Sequence, residues 1–180
     1  MSAANRPTIL TYDIQPAAYR PYDPRAPFVA EIVREFIEME MPSVEVEHIG
    51  STAIPGCDGK GVVDMMMLYQ PGGLEASRDA VERLGFVRFD APDGFPITRP
   101  VYLGAFEYND TLFRLHVHII AADAQEVADQ RLFRDRLRAD HSLVDAYVAK
   151  KREILERGIT HGPSYADEKT AFIEGVRRSA

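Results

Sequence analysis

The spacing of apolar residues predicts that helices and strands alternate along the chain. In residues 28–41, Phe28, Ile32, Phe36 and Met39 recur at helical spacing and share one side of a predicted helix. The same periodicity, together with capping signals, predicts four further helices, within residues 72–86, 124–139, 142–157 and 163–178.

Short segments that are apolar throughout, or that alternate between apolar and polar residues, indicate strands. Five such segments lie at 44–48, 61–69, 86–89, 101–108 and 112–120. The tripeptide Asn-Asp-Thr between the last two predicts a hairpin. The first 27 residues contain five prolines and are predicted to be extended, and residues 90–100 are predicted to form a loop. This order of elements predicts an α+β fold, with a mixed sheet that helices cover mainly on one side.

Composition and charge narrow the classes of protein that fit this pattern. At 180 residues, the chain is expected to form one domain over residues 1–180. The net charge of −7 argues against a long nucleic acid as partner, but small phosphorylated ligands need only a local basic pocket. There is no apolar stretch of membrane-spanning length, no evident secretory leader and a single cysteine, so we expect a cytoplasmic protein without membrane association.

Residues 47–69, EHIGSTAIPGCDGKGVVDMMMLY, join a turn rich in glycine and hydroxyl groups to a predicted buried strand. Gly50 permits backbone geometry that other residues avoid. The amides beside Ser51 and Thr52 are candidate donors to phosphate oxygens, and Lys60 is a candidate positive charge. The spacing matches neither a Walker A loop nor a Rossmann fingerprint. The structural alternative is a turn in which Ser51 caps a helix.

Asp64 stands within the apolar run of residues 61–69. An ionised carboxylate in a buried strand is costly unless it is paired or bound to a metal. Asp64 is therefore a candidate for metal binding or catalysis. The alternative is a structural ion pair with Lys60 or an arginine.

The predicted strand at 112–120 contains the sequence Arg-Leu-His-Val-His. Arg114, His116 and His118 share one face of this strand, because side chains alternate between the two faces. If this strand neighbours the one that carries Asp64, either histidine is a candidate partner or fellow metal ligand. The alternative is a half-exposed strand with solvated histidines.

Basic residues recur on the last three predicted helices. Arg134 and its neighbours Arg131 and Arg138 share one helical face. Arg134, Lys150 and Lys169 are candidate phosphate contacts opposite the glycine-serine turn. The alternative is a solvated charged surface, which the acidic residues nearby favour.

Several motifs in a fixed order resemble the GrpB family, over about residues 9–175. They are YDPRAPF (22–28), EHIGSTAIPG (47–56), Lys60, Asp64, RLHVH (114–118), LFRDRLRADHSLVDAYVAKKREI (132–154) and YADEKTAFI (165–173). The resemblance implies a nucleotidyltransferase-like fold, similar to that of polymerase-beta-like enzymes. It leaves the biochemical activity undefined.

The superfamily pattern implies that Gly50 and Ser51 contact nucleotide phosphate and that Asp64 is the first carboxylate of an Asp-x-Asp metal pair. The second position is Met66 here, and methionine is a poor Mg²⁺ ligand. Glu47 or a residue of the 114–118 strand is the candidate replacement. Histidine ligands would favour a transition metal over Mg²⁺, so Mg²⁺, Mn²⁺ and Zn²⁺ are all considered.

Two functions follow from the resemblance and the candidate residues. The first is metal-dependent transfer of a nucleotidyl group from a nucleoside triphosphate to a small-molecule or protein hydroxyl, in which His116 or His118 binds metal or handles a proton. The second is a catalytically inactive module of the same fold that binds a nucleotide or a protein partner, which the methionine at position 66 favours.

Overall fold

The computed structural model describes residues 8–12, 14–90 and 95–178, which form five helices and five strands. The helices are α1 (Ala26–Glu40), α2 (Leu74–Arg83), α3 (Gln125–Ala139), α4 (His141–Glu156) and α5 (Gly162–Arg178). The strands are β1 (Glu45–Ile49), β2 (Val62–Tyr69), β3 (Val87–Arg88), β4 (Val101–Tyr108) and β5 (Thr111–Ala121). None of the described helices is long and apolar enough to cross a membrane.

The strands form one mixed sheet in the order β1-β2-β5-β4-β3. The central pair, β2 and β5, is parallel, and the other pairs are antiparallel. The register pairs Asp64 with His116 and Met66 with His118, so these four residues share a face. The α+β prediction is therefore confirmed, and the predicted strands of residues 61–69 and 112–120 are neighbours.

Helices α1 and α2 cover the other face of the sheet. Its apolar side chains, among them Val63, Met65 and Val117, are fully buried in the main core with residues of both helices. The helix predicted at 28–41 is confirmed, and Ile32 and Phe36 of its predicted apolar side are partly buried against the main core. The residues of α1 that are buried are Ala26, Val29, Ala30, Val33 and Ile37, whereas Phe28 and Met39 are exposed. Small and β-branched side chains allow the helix to lie close to the sheet.

Helix α3 lies on the opposite face, so the prediction that helices cover mainly one side is wrong in this respect. The reason is a patch of apolar residues on that face, where Met66, Leu68 and Ile120 pack against Val127 of α3. Helices α4 and α5 stack on α3 and enclose a separate core with Ile54 of the turn that follows β1. The patch accounts for Met66, which is completely buried and contributes to packing.

The described part of the N-terminal region runs as extended chain across the sheet, as predicted. Isolated bridges join Leu10 to Ala105 of β4 and Arg20 to Gly59. The prediction of an extended segment concerns residues 1–7 and 13 as well, which lie outside the described residues, as do residues 91–94 of the predicted loop. This part of the chain brings Tyr12 onto the polar face of β5, beside His116.

Candidate functional site

Asp64 meets both histidines of β5 on the polar face of the sheet. Its Oδ1 atom lies 3.4 Å from Nδ1 of His116 and 3.4 Å from Nε2 of His118. The parallel register places His116 directly across from Asp64, and His118 follows it on the same face. The structure thus brings together the three residues that the sequence singled out as candidate metal ligands and catalytic groups.

The three side chains have the donor set of a transition-metal site. Their ligand atoms all lie within 4.8 Å of one another. Two ligands of a tetrahedral ion are about 3.4 Å apart when each bond is about 2.1 Å long, so the contacts to Asp64 have the right length. Two imidazoles and one carboxylate suit Zn²⁺, Mn²⁺ or Fe²⁺ better than Mg²⁺.

The outer contacts of the histidines differ. The hydroxyl oxygen of Tyr12 lies 2.6 Å from Nε2 of His116. A hydrogen-bond partner of this kind orients a metal-binding imidazole. Nδ1 of His118 is buried without a hydrogen-bond partner among the described residues. The residues present therefore fit a metal through the atoms that face one another, namely Oδ1 of Asp64, Nδ1 of His116 and Nε2 of His118. Tyr12 orients the ring of His116, and packing against Phe95 orients that of His118.

The protonation states also suit metal binding. Burial raises the pKa of the Asp64 carboxyl, but the hydrogen bonds and electrostatic attraction of His116 and His118 outweigh that effect and hold the pKa well below its usual range. Burial lowers the pKa of His118, and Asp64 only partly opposes this shift. An ionised carboxylate and a neutral imidazole are the forms that coordinate metals.

The glycine-serine turn lies against Asp64. Gly50 has φ 71° and ψ −171°, a region that only glycine occupies readily. A Cβ added at Gly50 would lie 2.6 Å from Oδ2 of Asp64, so the backbone of the turn passes directly over the carboxylate. Residues 51–53 then form a short 3₁₀ turn.

Two hydrogen bonds fix this turn to the sheet. The buried hydroxyl of Thr52 donates to the carbonyl of Val62 at 3.0 Å, at the start of β2. Nε2 of His48 lies 2.9 Å from the same hydroxyl, which is left to accept the ring proton. Burial lowers the pKa of His48 to about 4, so this ring is neutral. The hydroxyl of Thr52, a predicted phosphate contact, is thus engaged in holding the turn.

Beyond Gly50, the turn meets a buried lysine of α4. The point that a Gly59 Cβ would occupy lies 2.6 Å from Oγ of Ser51 and 3.3 Å from Nζ of Lys151, so both groups converge there. Nζ of Lys151 lies 3.2 Å from Sγ of Cys57 and also donates to the carbonyl of Asp58. Burial lowers the pKa of Lys151.

Two more lysines flank Tyr165 of α5. Nζ of Lys169 lies 4.7 Å from the centre of the Tyr165 ring, and Nζ of Lys60 lies 5.6 Å from it. The hydroxyl of Tyr165 is buried without a hydrogen-bond partner among the described residues. We call Lys60, Lys151 and Lys169 the lysine cradle. Repulsion from Lys60 lowers the pKa of Lys169, and attraction from Asp64 opposes this shift.

The other predicted phosphate contacts have protein partners. Arg134 forms an ion pair of 2.8 Å with Glu47 and another with Asp135, so it anchors α3 to β1. Lys150 pairs with Glu153 one turn along α4. Glu47, the candidate replacement for the missing carboxylate, is held by Arg134 and Arg131.

Sequence reasoning missed Tyr12 and selected Lys150 rather than its neighbour Lys151 as a phosphate contact. Lys151 could have been chosen over Lys150, because it shares a helical face with Tyr147 and Ile154, both of which are apolar and buried. Tyr12 carries no sequence signal, since it lies in an extended segment without periodicity.

The lysine cradle predicts a pH dependence of stability. Burial, repulsion from Lys60 and repulsion from Lys151 outweigh the attraction of Asp64 and lower the pKa of Lys169 to about 8, from an ordinary value of 10.5. The native state therefore disfavours the charged lysine. This penalty is complete below pH 8 and disappears as the pH rises from 8 to 10.5, because the unfolded chain then holds a proton that the native state has lost.

We expect Lys169→Met to be more stable than the unmodified chain at pH 7, and this advantage to shrink steadily up to about pH 10.5. Urea denaturation of both proteins across that range measures the difference in unfolding free energy. Lys150→Met, whose lysine pairs with Glu153, is the matched control and should show no such trend. A constant difference for Lys169→Met at all pH values would contradict the lowered pKa.

Comparisons with known proteins agree with this fold. The sequence profile described as GrpB protein matches residues 16–179. A UPF0157 protein of Halalkalibacterium halodurans is 28% identical over 163 residues, covering 88% of this chain and 80% of the relative. A UPF0157 protein of Streptomyces coelicolor is 28% identical over 147 residues, covering 82% of this chain and 74% of the relative.

Two solved structures extend the comparison to three dimensions. The crystal structure of the conserved protein GrpB from Enterococcus faecalis has a TM-score of 0.71 at 22% identity, covering 89% of this chain and 95% of that one. A structure of Cid1, described by its RNA terminal uridylyl transferase activity, has a TM-score of 0.50 at 14% identity, covering 72% of this chain and 39% of Cid1. At these identities the likeness concerns the fold.

Proposed function

The chain belongs to the GrpB family and has a fold similar to that of a nucleotidyltransferase, and from this premise we propose that it binds a nucleoside triphosphate together with a divalent transition metal. The reaction that suits this pair is transfer of the nucleotidyl group to a hydroxyl of a small molecule or protein. Asp64, His116 and His118 hold the metal, and the lysine cradle with Ser51 holds the phosphates.

One observation carries the proposal: the glycine-serine turn lies against the candidate metal ligand Asp64 and also beside Lys151 of the lysine cradle. Gly50 passes over the Asp64 carboxylate, and the next residue, Ser51, presents its hydroxyl beside Gly59 and Lys151. A triphosphate needs a metal at one point and positive charges along its length. In this chain, the turn has a candidate metal ligand, Asp64, beside Gly50 and a positively charged group, Lys151, beside Ser51.

Each group has a defined task in the transfer. The acceptor oxygen forms a bond to the α-phosphorus, the bond from that phosphorus to the bridging oxygen breaks, pyrophosphate leaves with the electron pair, and the hydroxyl proton passes to solvent. Lys60 and Lys169 neutralise the phosphate charge, and Ser51 orients the chain of phosphates. A bound metal supplies Lewis-acid stabilisation of the charge that develops on the phosphate oxygens.

A binding experiment on lysine variants tests the phosphate assignment. We expect Lys169→Gln to weaken the binding of a labelled nucleoside triphosphate by about 10-fold or more, since a hydrogen bond to a charged group contributes about 1.5–3 kcal/mol. Lys150→Gln removes the same charge from a residue that pairs with Glu153, and should bind as the unmodified chain does. Equal affinities of all three proteins would contradict the role of the cradle.

A second function, a catalytically inactive nucleotide-binding or protein-binding module of the same fold, is favoured by Met66. Its side chain is fully buried against α3, where a second carboxylate would otherwise serve the metal. Release of pyrophosphate from labelled triphosphates with Mg²⁺, Mn²⁺ or Zn²⁺ supports the enzyme. Saturable binding without release supports the module.

A further inference from the structure

An open depression of about 300 Å³ lies between the N-terminal segment and the polar face of β5. One wall comes from residues 12, 15 and 20 of the N-terminal segment, and the other from Gly61 and the start of β5. The lining residues are Tyr12, Gln15, Arg20, Gly61, Leu112 and Arg114. We call it the arginine depression.

Two arginines of the depression form no ion pair with the described residues. Among residues 8–12, 14–90 and 95–178, neither Arg20 nor Arg114 has a carboxylate within 4.0 Å. Both side chains line the same open depression, so their positive charges lie on one surface. Arg114 donates one hydrogen bond, to the carbonyl of Lys60, which fixes its direction.

The depression adjoins the candidate metal ligands. Arg114 precedes His116 by two residues on the same face of β5, a separation of about 7 Å. Tyr12 forms a wall of the depression and contacts Nε2 of His116 through its hydroxyl at 2.6 Å. A molecule seated against the arginines would therefore extend toward Asp64 over a short distance.

We propose that the arginine depression binds a phosphate monoester on the second, acceptor substrate, so that the acceptor is a small phosphorylated molecule. This rests on the proposed function, which requires an acceptor beside the metal. A phosphate monoester carries about −1.5 to −2 charges at pH 7 and neutralises both arginines, whereas a carboxylate would neutralise only one. Guanidinium groups also match phosphate oxygens in paired hydrogen bonds.

Inorganic phosphate is the probe for this site, titrated by calorimetry into the full chain in the presence of a chelator. We expect Arg20→Gln and Arg114→Gln each to weaken phosphate binding at this site by about 10-fold, and to leave nucleoside triphosphate affinity within about 2-fold. Arg20 meets Gly59 through backbone atoms, so its side chain can be changed without removing that bridge. Arg178→Gln changes an exposed arginine at the end of α5 and serves as the control.

Three results would overturn the proposal of a phosphate site in the arginine depression. Phosphate binding that only Lys169→Gln weakens would assign all phosphate affinity to the lysine cradle. Acetate that displaces phosphate at equal concentration would remove the preference for a dianion. Unchanged phosphate affinity in both arginine variants would remove the site. Failure of the unmodified chain to bind any triphosphate contradicts the proposed function instead, while the arginine-dependent phosphate signal stays measurable.

Discussion

Replacing Asp64 by asparagine is expected to weaken the binding of Zn²⁺ or Mn²⁺ by at least about 100-fold. Asparagine keeps the shape of the side chain but removes the negative charge, which lies 3.4 Å from a ring nitrogen of His116 and 3.4 Å from one of His118. Loss of an outer partner of a metal ligand alone typically costs 10- to 100-fold, so loss of the only carboxylate among the three ligands should cost more. Calorimetric titration and the metal content of purified protein after dialysis measure the effect.

Graded variants make this result specific. Tyr12→Phe removes the hydroxyl behind His116 and should weaken metal binding by about 10-fold. His161→Gln removes an exposed histidine from outside the site and should have no effect. If Asp64→Asn retains the metal of the unmodified chain, the carboxylate serves only to hold the two histidines in place.

Replacing Gly50 by alanine is expected to lower the unfolding free energy by about 2–4 kcal/mol and to abolish metal binding. The backbone at φ 71° and ψ −171° costs a residue with a Cβ about 1–3 kcal/mol. The new methyl group would also lie 2.6 Å from Oδ2 of Asp64, so the turn or the carboxylate must move. Chemical denaturation measures the loss of stability, and metal titration measures the loss of the site.

A second glycine separates the two causes. Gly72 has φ 83°, but a Cβ added there would meet nothing within 4 Å. Gly72→Ala should therefore cost only the backbone strain, about 1 kcal/mol, and leave metal binding unchanged. Equal losses in the two variants would show that the approach of the turn to Asp64 adds nothing.

The arrangement of elements could be predicted because its signals are local. Alternation along the 112–120 segment predicted β5. Its apolar face, formed by Leu115, Val117 and Ile119, is buried as the pattern requires. The hairpin signal is confirmed as well, since Asn109 and Asp110 both adopt positive φ in the turn between β4 and β5. Which helices lie on which face is a tertiary matter, and here the prediction was wrong for α3.

Part of the candidate site could be predicted from the sequence because some of its residues are costly to bury. A carboxylate inside an apolar run and histidines at alternate positions of a strand are costly unless they meet partners, so Asp64, His116 and His118 stood out. Their meeting depends on the pairing of β2 with β5, which a single sequence does not specify. Tyr12 reaches His116 only because the N-terminal segment crosses the sheet, and no local pattern encodes that path.

Local patterns also did not determine which side of a helix packs against the sheet. In α1, Ile32 and Phe36 of the predicted apolar side are partly buried, but Phe28 and Met39 are exposed. The residues that the helix buries fully include Val29 and Val33. Both sides of the helix are apolar enough to satisfy a periodicity argument. The sheet selects the side with shorter side chains, because that side permits the closer approach.

The parallel pair of β2 and β5 has a consequence for the order of folding. The hairpin of β4 and β5 joins adjacent segments and can form quickly, whereas β2 can join β5 only after a long intervening chain has closed. Asp64 lies on one strand of that late pair and His116 on the other. The nascent chain therefore offers no assembled metal site, and a metal ion would slow unfolding of the finished sheet without nucleating it.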